Sequence, residues 1–397
     1  MITLNTLPGY NAALDPADST TLGMEAAREV QRFLSCRTDY RQTPLHRLDG
    51  LAGELGVAAI FLKDEGLRLG LGSFKALGGS YAVIRLVLEE AGGRLGRPQD
   101  IADLNSPQVR EIARQMTFGC ATDGNHGKSV AMGARMVGAR AAIFVHAGVS
   151  DERVAAIAAC GAEIIRVEGT YDDSVAEAAR VCEQNGWSVV SDTSWPGYER
   201  IPSLVMQGYT AMLGEVLEAL PQRPTHVFVQ AGVGGLAAAL AGHFAIVFGA
   251  NRPKLIVVEP ARAACIHESA RTGRLVKTPH GEPTMMAMLE CYEPSLVAWR
   301  ILSRKADAFM TVDEGDAAAT MLRLARPAAP DPAVVAGESG CAGLAGLIRA
   351  ASDPEGRKML GLDENARVLA INTETATDKG RYEAIVGMAP EAVAEIA

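Results

Sequence analysis

Residues 225–240 read THVFVQAGVGGLAAAL. An apolar, β-branched run at 225–230 gives way to a glycine-rich turn, and then to small apolar residues that propagate as a helix over 234–248. The same succession of strand, loop and helix recurs on both sides. Upstream, strand-like runs at 116–121, 141–146, 163–167 and 187–192 alternate with helical patterns at 126–137, 150–160 and 171–184. Downstream, strands are expected at 255–259, 309–312 and 368–372, with helices at 201–220, 313–325 and 341–351. Apolar strands separated by helices of this length mean mostly parallel sheets covered on both faces. The fold class is therefore α/β. Segment 89–115 breaks the rhythm and reads as a helical or loop excursion. Two groups of strands fit two α/β domains, with a passage between them near 192–202.

The 397 residues suffice for two such domains. A chain 48% hydrophobic and 21% charged has the apolar surface to fold, which excludes disorder as its main state. A formal charge of −9 without a basic stripe excludes nucleic acid and anionic membrane surfaces as partners. The seven cysteines are scattered, with no CxxC pair, so neither a disulfide framework nor a metal site is expected. Whether Cys265 and Cys291 meet is not readable from their positions. The first residues lack the basic start and apolar core of a signal peptide. The longest apolar stretch, 234–250, is too short to span a bilayer. A soluble, cytoplasmic protein is expected.

In open α/β sheets, ligands gather where strands end and helices begin. Gly232, Val233, Gly234 and Gly235 lie at such a junction, where backbone N–H groups and the helix dipole suit a phosphate. The same loop could equally be a tight turn that binds nothing. GVGGLA lacks the last glycine of a dinucleotide fingerprint, and no Walker lysine follows it. A second stretch, GSFKALGGS at 72–80, sets Lys75 among small and apolar residues. Desolvation there would lower its pKa and favour a Schiff-base-forming amine, although an ordinary lysine at a helix start would look the same. A third, ATDGNHGKS at 121–129, gathers Asp123, Asn125 and His126 in one loop. Asp123 could instead be a helix cap and His126 a spacer.

Together these three loops resemble the fold-type-II pyridoxal-phosphate-dependent enzymes (the tryptophan synthase β-like fold), the group of threonine dehydratase, serine racemase and cysteine synthase. Within it the chain is most similar to the diaminopropionate ammonia-lyase branch. The likeness runs through YRQTPL (40–45), LKDE (62–65), FKALGGSY (74–81), TDGNHG (122–127), DTSWPGY (192–198), IPSLVMQGY (201–209), QAGVG (230–234), VEP (258–260) and GESG (337–340). It implies a large cofactor-binding domain, 1–76 and 190–397, and an inserted small domain, 77–189. It also implies a homodimer. The short stretch after Thr373 leaves no room for a regulatory domain, so none is expected there.

The resemblance assigns roles residue by residue. Lys75 would hold pyridoxal 5'-phosphate through its amine, with Phe74 beside the ring. Gly232, Val233, Gly234 and Gly235 would bind the phosphate, Asn125 the ring hydroxyl, and Thr373 the ring nitrogen. Asp123 departs from the broader group, which has an uncharged residue there. A carboxylate beside the substrate carboxylate is repulsive unless it acts as a base or faces a cation. Diaminopropionate carries such an extra ammonium. Asp192 is a second carboxylate that the resemblance brings to the active site. The implied reaction is α,β-elimination of D- and L-2,3-diaminopropionate to pyruvate and two ammonia. Lys75 would take the α-proton of the L-isomer and Asp123 that of the D-isomer. The alternatives are an L-serine/threonine dehydratase or racemase, or a lyase of another 3-substituted amino acid, with the same cofactor. A nicotinamide-dependent dehydrogenase using the glycine loop and a non-catalytic binding module are more distant readings. Thr375 stands where the close relatives tend to have glycine, in a loop bordering the ring.

Overall fold

The strand at the heart of that opening stretch is flanked by strands far away in sequence. The computed structural model describes residues 1–122 and 124–396. Its strands are β1 (Ile2–Leu4), β2 (Leu45–Arg47), β3 (Ala59–Asp64), β4 (Thr117–Ala121), β5 (Arg140–His146), β6 (Glu163–Val167), β7 (Ser188–Val189), β8 (His226–Gln230), β9 (Lys254–Pro260), β10 (Ala308–Val312) and β11 (Arg367–Asn372). They form a seven-stranded sheet ordered β1-β10-β9-β8-β11-β3-β2 and a four-stranded sheet ordered β6-β5-β4-β7. In the larger sheet only the two edge pairings, β1 on β10 and β2 on β3, are antiparallel. The smaller sheet is wholly parallel. Every residue of β3 and β8 is buried, as parallel strands covered on both faces require. The α/β class expected from the sequence holds.

Each sheet anchors one compact unit. The first comprises Met1–Met24, Arg41–Phe74 and Met212–Ala397, and the second Glu25–Tyr40 and Lys75–Ala211. The chain passes between units at 24/25, 40/41, 74/75 and 211/212, where the resemblance implies only 76/77 and 189/190. The excursion at 89–115 consists of the end of a long helix, α1 (Lys75–Leu95), a 3-10 turn at Ile101–Asn105 and a helix at Pro107–Arg114. One expected strand is much shorter than its sequence suggests. Of 187–192 only Ser188–Val189 pairs regularly with β4, and one further backbone bond, from Val190 N to Gly119 O (2.8 Å), ends the ladder.

In the second unit, α1 is wedged between α2 (Asn125–Val137) and α3 (Arg200–Ala219) by glycines. A methyl group at Gly79 would lie 2.8 Å from Ser129 Oγ, and one at Gly133 would lie 2.7 Å from Ser80 Cα. On the other side, a methyl at Gly78 would meet the Tyr209 ring at 2.6 Å, and one at Gly208 the Leu77 carbonyl at 2.6 Å. Such approaches leave no room for any Cβ, so the start of α1 is held with its backbone directly against the backbone and side chains of its neighbours.

In the first unit, the stretch leading to Lys75 is fixed by charge. Arg68 and Glu65 are fully buried, and Lys63 and Glu215 nearly so. The Arg68 guanidinium donates to Glu65 through Nε (2.8 Å) and Nη2 (2.6 Å), and to Glu215 through Nη1 (2.7 Å) and Nη2 (2.8 Å). Lys63 Nζ donates to Glu215 (2.5 Å) and to the Thr43 carbonyl (2.7 Å), while the Thr43 hydroxyl donates to Glu65 (2.6 Å). Two cations balance two carboxylates, and their hydrogen bonds offset desolvation. The TPL and LKDE motifs are the visible half of this cluster. Downstream, Leu69 takes a left-handed φ of 51°. Ser73 then pairs with Glu374, Phe74 N donates to Thr373 O (3.1 Å), and Thr375 N donates to Gly72 O (3.0 Å). Thr375 thus stands against Gly72, whose φ of +77° and 3.0 Å clearance from Thr375 Cγ2 require glycine.

Candidate active site

Lys75 is the first residue of α1, and its Nζ donates to the Asp192 carboxylate. Both side chains are partly accessible, at 23% and 18%. Burial alone would raise the Asp192 pKa. The Lys75 charge, with its hydrogen bond, outweighs it and holds the carboxyl well below the usual range. Asp192 is therefore ionised at any physiological pH.

Asn125 is buried and opens α2. The loop before it is closed by Thr122, whose hydroxyl accepts from Gly124 N (3.1 Å) and Gly127 N (3.2 Å). His126 follows, buried, with Nε2 2.9 Å from the Val190 carbonyl. A carbonyl only accepts, so Nε2 carries the proton. Burial lowers the His126 pKa, which leaves the ring neutral and Nδ1 a bare lone pair. That Nδ1 is buried and has no hydrogen-bond partner. Asp123 lies outside the described residues.

The glycine loop belongs to the first unit. After β8 the chain turns through Gly232 and Val233 to Gly234, at φ +97°, which caps a helix α4 (Gly235–Phe248). A methyl group at Gly234 would meet Ile266 Cδ1 at 2.8 Å, and one at Gly232 would meet Cys291 Sγ at 2.9 Å. Among the described residues, the N–H groups of Val233, Gly234 and Gly235 have no acceptor. Three unpaired donors at the start of a 14-residue helix fit a phosphate. Beside them, the Gln230 side-chain amide donates toward four acceptors: Ser339 O (3.1 Å), Gly340 O (2.6 Å), Ile371 O (3.2 Å) and Thr373 Oγ1 (2.9 Å). Thr373 is buried and its hydroxyl oxygen already accepts from Gln230, so its proton remains available to donate. These groups fit a phosphorylated pyridine with an unprotonated ring nitrogen. The thiols of Cys265 and Cys291 border the same loop; the Cys265 Sγ lies 3.9 Å from Gly232 O.

Lys75, Asn125 and Asp192 thus fall in one unit, and Gly232–Gly235 and Thr373 in the other, with Phe74 ending the first unit where Lys75 begins the second. Sequence reasoning gave no role to His126 beyond spacing, or to Tyr198, Gln230, Arg68 and Glu215. A glutamine ending a strand before glycines, and a tyrosine closing a Trp-Pro-Gly turn, were the available signals for Gln230 and Tyr198.

Residues 37–374 match the family model described as pyridoxal-phosphate dependent enzyme. The chain is 38% identical over 383 residues to the diaminopropionate ammonia-lyase of Escherichia coli (strain K12), covering 95% of each. It is 36% identical over 388 residues to that of Salmonella typhimurium, again covering 95% of each. The crystal structure of the Escherichia coli diaminopropionate ammonia lyase in complex with an aminoacrylate-PLP azomethine reaction intermediate superposes with a TM-score of 0.86 at 36% identity, covering 97% of this chain and 96% of that one.

Proposed function

The chain belongs to the pyridoxal-phosphate-dependent enzyme family, alongside the diaminopropionate ammonia-lyases, and from that premise we propose that it eliminates ammonia from D- and L-2,3-diaminopropionate. With one water consumed, each substrate yields pyruvate and two ammonia. The observation that carries this substrate class is the ion pair between Lys75 and Asp192. Lys75 is the amine expected to bind the cofactor, and once so engaged it no longer supplies its ammonium to Asp192. A substrate with a second ammonium restores that pair. A hydroxy amino acid would leave an ionised, partly buried carboxylate without a cation, which is costly.

When bound, the cofactor supplies the electron sink for the carbanion left by α-proton loss. The N–H groups of Val233, Gly234 and Gly235, with Gly232 keeping the backbone open, receive its phosphate. Asn125 would serve the ring hydroxyl, Thr373 would donate to the ring nitrogen, and Phe74 would lie beside the ring. A hydroxyl donor there would leave the nitrogen without a full positive charge, which would favour early loss of a β-group. Lys75 removes the α-proton of the L-isomer and Asp123 that of the D-isomer. Asp192 orients the β-ammonium until it leaves. The resemblance further implies a homodimer acting in the cytoplasm; among the described residues no helix is long and apolar enough to cross a membrane.

A substrate panel read for both products tests this. Diaminopropionate of either hand should give two ammonia per pyruvate, and serine should give little of either. Turnover of serine or threonine with none of diaminopropionate would overturn the assignment.

A further inference from the structure

Asp192 stands three residues beyond the last regular strand pairing, at Val189, yet its carboxylate meets Lys75. Val190 N still bonds Gly119 O, so something other than sheet hydrogen bonding must hold 191–192. Two side chains do so. Tyr198 donates its hydroxyl proton to Val189 O (2.8 Å) and accepts from Ser191 N (3.0 Å). His126 donates from Nε2 to Val190 O (2.9 Å). Consecutive peptide groups leading to Asp192 are thus tied to one phenol and one imidazole.

The sequence around each tether explains how it gets there. Trp195-Pro196-Gly197-Tyr198 closes on itself through Tyr198 N to Trp195 O (2.9 Å) and Trp195 N to Tyr198 O (3.4 Å). Gly197 has φ +85°. Proline followed by a positive-φ glycine is the pattern of a type II turn, which folds the chain back. The Trp195 ring stacks on Tyr198 at 4.2 Å and 14°, fixing the phenol's direction. His126 comes from the first turn of α2, directly after Asn125, so it ties the loop carrying Asn125 to the segment carrying Asp192.

We propose that His126 and Tyr198 are positioning residues that set the Asp192 carboxylate against the Lys75 amine. Neither is required to touch substrate. Their role rests on the reading of Asp192 as the partner of the substrate ammonium. An amine paired with a carboxylate keeps its proton, so loosening Asp192 makes Lys75 more nucleophilic at a given pH.

Four single variants test it, with two readouts. In the cofactor-free full chain, carbamylation of Lys75 by cyanate at neutral pH, followed by mass spectrometry, reports the ion pair without any turnover. In the loaded enzyme, kcat and KM for D- and L-diaminopropionate report the reaction. His126→Phe, which keeps the ring but removes the donor, and Tyr198→Phe should each speed carbamylation about threefold to tenfold. Each should lower kcat by about tenfold, with KM little changed. His126→Gln places an amide N–H near the former Nε2 and should recover most of both. Asp192→Asn should speed carbamylation as well, and adding His126→Phe to it should cost nothing further, because residues acting through one group are not additive. Unchanged carbamylation in both phenylalanine variants, or full multiplication of the losses with Asp192→Asn, would overturn the positioning role. Wild-type turnover in Asp192→Asn would instead overturn the function given to Asp192, and the carbamylation readout separates the two failures.

Discussion

Replacing Arg68 by methionine should destabilise the first unit more than any exposed charge change. The guanidinium is fully buried and serves both Glu65 and Glu215. Without it, two buried carboxylates share one ammonium, that of Lys63, and the cluster carries an uncompensated negative charge. Removing one partner from a buried ion cluster costs about 3–5 kcal/mol. At roughly 2–4 °C per kcal/mol for a unit of this size, melting should fall by about 10 °C. The sign of the pH dependence follows from Glu215. Burial raises its pKa, but hydrogen bonds and charge from Arg68, and then Lys63, leave it below the ordinary carboxylate value. In the native chain that carboxylate contributes stability above the ordinary carboxyl range and loses it only as pH falls through its lowered pKa. In Arg68→Met one carboxyl would instead titrate above its unfolded value, so its penalty is present at neutral pH and fades as acid protonates it. Calorimetric melts should therefore show a deficit that is largest near pH 7.5 and clearly smaller near pH 5. A variant melting within about 2 °C of wild type at neutral pH, or a deficit that grows on acidification, would refute the reasoning.

The other expectations concern the site. Lys75→Ala should abolish the visible absorbance of the lysine-bound cofactor and all turnover, read by spectrophotometry and pyruvate release; retained absorbance would place the bond elsewhere. Asp123→Asn should depress turnover of D-diaminopropionate at least about tenfold more than that of the L-isomer; equal losses would remove its stereospecific role. Gly234→Ala forces a left-handed backbone on alanine and drives its methyl into Ile266 at 2.8 Å. At about 1–2 kcal/mol for the backbone alone, cofactor affinity should weaken roughly tenfold or more in a fluorescence titration.

What could be read from the chain alone depended on locality. The loop at 230–236 was legible because strand, glycines and helix are contiguous, and a phosphate cradle is made from the backbone of that one stretch. The strands from 117 onward were legible for the same reason, since each is an apolar run beside its own helix. The strand β1 was not, because three residues at the N-terminus become a strand only by pairing with β10, some three hundred residues away. Thr43, Lys63 and Glu65 stood out in motifs, yet their purpose required Glu215, distant in sequence and embedded in a helix. The over-long strand at 187–192 shows the reverse case. Its residues look strand-like throughout, but the ladder ends with the Val190 N–H bond, and the extended look of the rest serves to carry Asp192 outward under side-chain restraint.

The wedge of glycines around α1 has a consequence for anyone redesigning this enzyme. Because Gly78, Gly79, Gly133 and Gly208 seat the helix that begins with Lys75 against its neighbours with no spare volume, the reach of the reactive amine is set by four positions that bear no functional group. Saturation libraries meant to broaden substrate scope would lose most members at these positions, and a compensating change elsewhere has no slack to exploit. Diversity has to avoid these four glycines and equally the 191–198 loop, where Trp195 stacks on Tyr198 and Tyr198 holds the segment that sets Asp192 against the lysine.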